Sequence, residues 1–445
     1  MSLLFSARLL VRSTVRTLGP SIVAATLAAA LALPVLAAEA SLTLAQAQRL
    51  AVDRSRLLFA KDLASTASRE MAVAAGQLPD PVLKLGIDNL PVNGPDRLSL
   101  TGDFMTMRRV GVMQEMTRSD KRRWRAARFE READKTVAEK NEALASIQRD
   151  SALAWLDRYY AEAMAAVIAE QATQATFEIQ AAEGAYRAGR GSQADIFAAR
   201  STLASFEDRA SEIQRRVRNA EIMLARWTGA DGKLPLAGRP AIDTVRLDPA
   251  VLEVQLARHP RIDVLARQEE VARAEAGLAE ANRRADWSVG VMVQQRGPAY
   301  SNMVSVGVSV PLQWDRKNRQ DRELSSKLAM VEQAAAERDE MLRAHVAETR
   351  TMFHEWENGR ERLLRFEREL IPLAKSRTSA TLAAYRGGKS TLADVLMARR
   401  NEIDVRIQAL QLQTEVARLW AQLNFLFPHD GVDASSVATM HRDSK

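Results

Sequence analysis

The chain has 445 residues, with 63 Lys and Arg against 56 Asp and Glu, a net charge of +7 and no cysteine. The missing thiol excludes disulfides, thiolate metal centres and an acylated N-terminal Cys. The charges of both signs are interspersed along helical stretches, which excludes a basic nucleic-acid stripe and suits solvated helix faces.

Arg8, Arg12 and Arg16 precede an apolar run from about Ile22 to Leu36, followed by Val35-Leu36-Ala37 before Ala38. This predicts a secretory signal over 1–37, cleaved after Ala37 or Ala38. A retained membrane anchor is the competing reading, but the run is short and carries Pro34. The rest of the sequence has no apolar stretch long enough for a spanning helix.

From about Leu44 to Gln77 the pattern is helical, until Pro79 and Pro81 end it. The period then changes to two. Leu83, Leu85 and Ile87 alternate with Lys84, Gly86 and Asp88, and after a loop rich in Pro, Gly and Asn a second strand runs over Arg109–Gln114 with Val110 and Val112. Asp120 to Tyr186 contains no proline and predicts a helix about 100 Å long at 1.5 Å per residue. It ends at Gly189, and an apolar stripe of Phe206, Ala210, Ile213, Val217, Ala220, Leu224 and Trp227 returns. The heptad-like spacing predicts antiparallel, left-handed packing on the long helix.

After a weakly periodic linker the same order returns. Val289, Val291 and Val293 alternate with small or polar residues, then a Gly297-Pro298 turn leads to Val304, Val306, Val308 and Val310. A second long helical segment runs from about Lys317 to Tyr385, and Pro372 predicts a break or two stacked helices within it. Residues Tyr186–Phe197 and Tyr385–Leu396 match position by position at one offset, and Val405, Ala409, Leu412, Val416, Leu419, Leu423 and Leu426 repeat the first stripe. A shared offset without slippage marks a duplicated unit. The expected organisation is a signal over 1–37, a first repeat over 38–228, a linker over 229–247, a second repeat over 248–427 and a flexible tail over 428–445.

Strands with a Val/Leu/Ile face and a small or polar face suit a membrane barrel as well as a half-buried soluble sheet. Helices too long for one globule favour the barrel. Four strands cannot close one, and lipid tolerates no open sheet edge, so copies must pool their strands. A dimer gives eight strands and a trimer twelve; a wide, hollow assembly favours the trimer.

The chain resembles the TolC family of outer-membrane efflux channels. The tip motif Tyr-x-x-Gly-x-x-(Ser/Thr)-x-x-Asp-(Ile/Val) occurs in both halves, followed by Ala199-Arg200 and Ala398-Arg399. Within the family, Leu78-Pro79-Asp80-Pro81 through Gln114-Glu115-Met116 looks most like the heavy-metal, CzcC- and CusC-like branch. The resemblance implies a mostly α fold with a small β part: a homotrimer with a twelve-stranded β-barrel in outer-membrane lipid, continued by a periplasmic α-helical barrel. It implies a passive duct that is no enzyme and needs no cofactor or resident metal. Its partners would be a periplasmic adaptor and an inner-membrane RND pump, and it binds no nucleic acid. Heavy-metal cations are the expected cargo, with organic compounds as the alternative. A periplasmic coiled-coil adaptor or scaffold without a barrel is the reading of a different class.

The resemblance places Asp394, with Asp195, at a periplasmic gate. Met397 stands where the family has a second gate acid. Thr391-x-x-Asp394 and Ser192-x-x-Asp195 also read as helix-capping boxes, and the two readings are compatible. Arg187, Arg190, Arg386 and Lys389, with Gly189 and Gly388, surround the tip turns and could contact an adaptor. Cations at helix ends also complement the macrodipole, and the glycines suit left-handed backbone. Lipid-facing positions are Leu83, Leu85, Ile87, Val110, Val112, Val289, Val291, Val293, Val304, Val306 and Val308. Met105, Met107, Met113 and Met116 carry thioethers of the kind soft metals accept, although methionine is a common apolar filler. The five histidines do not cluster in sequence, and His345 and His354 face opposite sides of a helix.

Overall fold

The computed structural model describes residues 41–189 and 191–429. The expected signal segment, Arg190 and residues 430–445 of the expected tail lie outside the described residues.

Two short helices begin the fold, α1 (Leu44–Asp53) and α2 (Arg56–Ala75). The continuous helix expected over Leu44–Gln77 is divided because Ser55 leaves helical geometry and caps α2, its side chain accepting from the Leu58 N–H. Thr43 and Gln46 form a full capping box on α1. Strands β1 (Val82–Asp88) and β2 (Met107–Met116) follow, then α3 (Ser119–Arg187), unbroken over 69 residues, and α4 (Gln193–Thr228). A 3-10 turn at Pro249–Val251 leads into α5 (Leu252–Leu256) and α6 (Pro260–Asn282). Strands β3 (Trp287–Gln295) and β4 (Met303–Ser309) precede α7 (Gln320–Arg365), α8 (Ile371–Arg386) and α9 (Leu392–Asn424).

Pro372 does not break the second long helix. A π-helical turn over Phe366–Leu370 joins α7 to α8, with the Ile371 N–H reaching back to the Phe366 carbonyl. Proline has no N–H to give and crowds the carbonyl four residues before it. The wider π turn absorbs both problems without ending the rod.

The strands form one antiparallel sheet in the order β1-β2-β3-β4. Its register aligns Leu83, Val112, Val291 and Val306 in one cross-strand row, and Leu85, Val110, Val293 and Val304 in the next. The helices beside it keep the same order: α2 packs on α3, α3 on α6 and α6 on α7.

The main core lies where α3, α4 and α9 meet. Trp155, Leu156 and Ile168 pack with Phe206, Leu224, Ile403 and Ala421. Burying a Leu or Ile side chain of this kind stabilises by about 1.5–3 kcal/mol. A second core joins Val346, Trp356 and Leu363 of α7 to Leu412, Val416 and Leu423 of α9. Two tryptophans tie the straps that cross these helices. Trp155 Nε1 donates to the Leu42 carbonyl at 2.9 Å, and Trp356 Nε1 donates to the Ile242 carbonyl at 3.2 Å.

Histidines far apart in sequence meet at the start of α6. The rings of His259 and His345 lie 4.3 Å apart, with Phe427 edge-on to His259. Helical phase along one element could not show this, because the partner comes from α6. The His259 Nδ1 accepts from the Arg261 N–H at 3.2 Å and caps α6. The ring also hydrogen-bonds the Leu426 backbone. Burial foremost, then His345 and the cations Arg261 and Arg149, push the His259 pKa down from 6.5 to about 3. Burial pushes His345 down as well, against the pull of Glu348.

A His whose folded pKa is depressed contributes its full stability above the unfolded value and loses it as pH falls toward the folded value. Stability should therefore drop between pH 6.5 and 3, at up to about 1.4 kcal/mol per pH unit from His259. Asparagine keeps a capping oxygen and does not titrate. His259→Asn should flatten this slope when thermal unfolding is followed by circular dichroism from pH 7 to pH 4.

Candidate functional site: the sheet face and the hairpin tips

The positions expected to face lipid all lie on one face of the sheet and are open to solvent in the single chain. Leu83, Leu85, Ile87, Val110, Val112, Val291, Val293, Val304, Val306 and Val308 are exposed, and Val289 is half-exposed. The opposite face carries Lys84, Gly86, Arg109, Gly111, Gly290, Met292, Gln294, Ser305 and Gly307, set by strict alternation. Arg109 pairs with Asp88 at 3.2 Å on that polar face. Close packing uses the glycines: a Cβ at Gly111 would collide with Met292. Met107, Met113 and Met116 lie within β2 and Met105 just before it. Among the described residues no group of three or more His, Cys, Asp or Glu could hold a metal ion.

The apolar stripe of β4 runs further than the alternation of valines suggested. Beyond Val310, Leu312 and Trp314 continue it past the strand end, both exposed, Trp314 to 87%. Trp287 is exposed at the same end of β3, and Phe104 and Tyr300 at the opposite end of the sheet. Aromatic side chains bracketing an apolar band is the arrangement of a barrel wall in lipid. The outer strands β1 and β4 have one paired edge each, and no described helix is long and apolar enough to cross a membrane.

At the far end, α3–α4 and α8–α9 form two hairpins with the same chemistry. The Ser192 N–H and hydroxyl both donate to Asp195 Oδ2 at 2.8 Å, and Asp195 N–H returns to Ser192 Oγ at 3.2 Å. In the second tip the Thr391 hydroxyl (2.7 Å), the Thr391 N–H (3.0 Å) and the Ser390 hydroxyl (3.0 Å) donate to Asp394 Oδ2. These bonds, the Thr391 hydroxyl foremost, hold the Asp394 carboxyl below its ordinary pKa. Asp394 thus caps α9 and presents a solvent-exposed carboxylate.

Gly189 (φ 67°) and Gly388 (φ 70°) both take the left-handed backbone of a helix end. Arg187 turns back on its own helix, Nε donating to the Glu183 carbonyl at 3.3 Å. Arg386 and Lys389 are exposed at the second tip. The hairpins pack together through Ala182 and Ala199 of the first and Leu392 and Leu396 of the second. Sequence reading missed the clasp beside that cluster, where Arg399 Nε meets Glu178 Oε1 at 2.8 Å with both side chains nearly buried. The Ala-Arg pair after each tip motif marked Arg399, but nothing local to it points to a partner 221 residues away.

Residues 251–427 match the outer membrane efflux protein family. No curated protein matches the chain by sequence. Among solved structures, the outer-membrane channel OprN superposes with a TM-score of 0.73 at 18% identity, over 87% of this chain and 91% of that one. CusC, whose structures concern folding and transmembrane channel formation, gives 0.73 at 16% identity, over 87% and 92%. VceC of Vibrio cholerae gives 0.70 at 17%, over 86% and 95%. At such identities the likeness speaks for the fold, and it spans nearly all of the described chain. The family match covers the second repeat, and the described chain as a whole has the fold of the outer-membrane channels OprN and CusC.

Proposed function

We propose that three copies of the chain pool their strands into a twelve-stranded barrel and form the passive outer-membrane duct of a tripartite heavy-metal exporter. One observation carries the reading: an apolar face open across all four strands, on a sheet whose first and last strands each lack a neighbour. In lipid each unpaired backbone group costs several kcal/mol, and pairing β4 of one copy with β1 of the next removes that cost. The ten residues of β2 and nine of β3 match the length of about 9–11 that a tilted membrane strand needs. The helical layer supports the same closure, since α2 and α7 end their row and expose Leu57, Phe59, Leu63 and Val73, and Leu328 and Met330.

Three Asp394 carboxylates on the axis of such a ring would attract cations and repel one another. Arg386 and Lys389, exposed at the tip, would meet a periplasmic adaptor coupled to an inner-membrane pump. Heavy-metal cargo is supported by the likeness of Leu78–Met116 to the metal branch of the family. Export of organic compounds is the alternative cargo. Growth of a deletion strain on copper, zinc, cobalt, cadmium, silver and dyes decides between them; equal sensitivity to dyes and metals rejects the metal assignment.

Val306→Arg, in the middle of the apolar face, should cost about 2–4 kcal/mol of folding stability in bilayers. Ser305→Arg, on the polar face one residue away, should cost far less, and equal penalties would show that the face does not meet lipid. In planar bilayers the trimer should conduct and be blocked by trivalent cations. Asp394→Asn keeps an oxygen for the Thr391 cap and removes the charge, so it should relieve the block. A block that persists in this variant assigns Asp394 to capping alone.

A further inference from the structure

A methionine that served only as apolar filler should follow the other apolar residues to the valine-rich side of the sheet. The register puts most of them on the other side. Met107, Met113, Met292 and Met303 share the polar face with Lys84, Arg109, Gln294 and Ser305, whereas Met116 pairs with Trp287 on the apolar face. Apart from Val82, methionine is the only apolar side chain on the polar face of the strands.

These methionines take successive rungs of the ladder. Met113 of β2 lies level with Gly290 of β3. Met292 of β3 lies level with Gly111 of β2, on the next rung toward the Phe104 end of the sheet. Met303 of β4 lies level with Gln294, on the rung after that, and Met107 lies beside Asp88 beyond it. Met113, Met292 and Met303 therefore form a diagonal, each one strand across and one rung on from the last. Diagonal neighbours in a sheet are about 7–8 Å apart, within reach of long side chains.

Glycines clear the floor between the first two. Met292 lies over Gly111, where a Cβ would collide with its Cγ, and Met113 Cγ stands 3.8 Å from the place a Cβ of Gly290 would take. Each side chain leans onto the other's strand, so both thioethers lie along the seam between β2 and β3. Both residues are half-buried, and Met303 is exposed. Net charge does not choose among cations here. Lys84 and Arg109 balance Asp88 and Glu115 on this face of β1 and β2, and β3 and β4 carry no charge. Softness does choose, because thioethers favour soft monovalent metals and offer little to harder cations.

We propose that Met113 and Met292, with Met303 as the next step, form a binding site for a soft monovalent cation, Cu(I) or Ag(I), on the polar face of the sheet. The inference rests on the duct proposed above and narrows its metal cargo to ions that accept thioether sulfur. In the closed barrel this face lines the water-filled lumen, and each copy carries one such track. A pair of neutral ligands holds an ion weakly enough to pass it on, and the next methionine receives it. Binding that is favourable but divided among several weak sites is what conduction requires.

The probe is silver ion in chloride-free buffer, added to the full-length protein in detergent with its methionine methyls labelled with carbon-13. Silver should shift the NMR signals of Met113 and Met292 and leave that of Met116 in place. Replacing Met113→Leu and Met292→Leu together conserves volume and should weaken silver binding, measured by equilibrium dialysis, at least about tenfold. Met116→Leu, on the apolar face, should leave binding unchanged, and zinc should move none of these signals. Silver binding that the double substitution does not weaken, or zinc held at the same methyls, overturns the site. The duct is judged separately by conduction in planar bilayers: a trimer that conducts but shows no silver shift keeps the duct and loses the site, and one that fails to conduct overturns the duct whatever silver does.

Discussion

The structure depends on edges that one chain cannot satisfy. β1 and β4 each have one neighbour, α2 and α7 end the helical row beneath them, and α4 and α8 end the row at the tip. In water an open strand edge is a hazard that proteins blunt with charge or cover. Here β4 carries Val304, Val306 and Val308 and no charged residue. Such an edge makes sense where another strand closes it and where lipid, not water, meets its valines. The same pair of free ends recurs in all three layers, so a single closure would satisfy strands and helices together.

Duplication explains how one sequence specifies those layers. Each repeat offers two strands, one long helix and one returning helix. Both copies use the same cap at the tip, through Ser192 and Asp195 or through Thr391 and Asp394. Both hold a strap across the long helix with a tryptophan. Divergence between the copies is concentrated where they must differ. Glu178 and Arg399 lock the halves of one chain together, whereas their repeat mates are two arginines.

Much of this was legible in the sequence because it rests on local rules. Alternation fixed the faces of Val289–Val293 and Val304–Val308, and the tip motif fixed both capping boxes, since a cap needs only residues three apart. Other features depend on contacts that no local pattern encodes. Ser55 interrupts a helical pattern that continues on both sides, because a serine that caps and a serine that faces solvent look alike in sequence. The meeting of His259 with His345 requires the packing of α6 against α7. Leu312 and Trp314 extend the outward stripe beyond the hydrogen-bonded strand, where Pro311 obscures the alternation. Pro372 signalled a disturbance, but whether a helix kinks, stops or widens is decided by its surroundings.

That widening makes the two halves mechanically unequal. α3 runs 69 residues as one uniform rod, while its counterpart contains a looser coil at Phe366–Leu370. A uniform rod transmits torque along its whole length, whereas a rod with one compliant joint concentrates bending there. Strain applied to the end of the chain that bears Asp394 would bend that joint first, so in the proposed duct the sheet could stay still while the tip flexes.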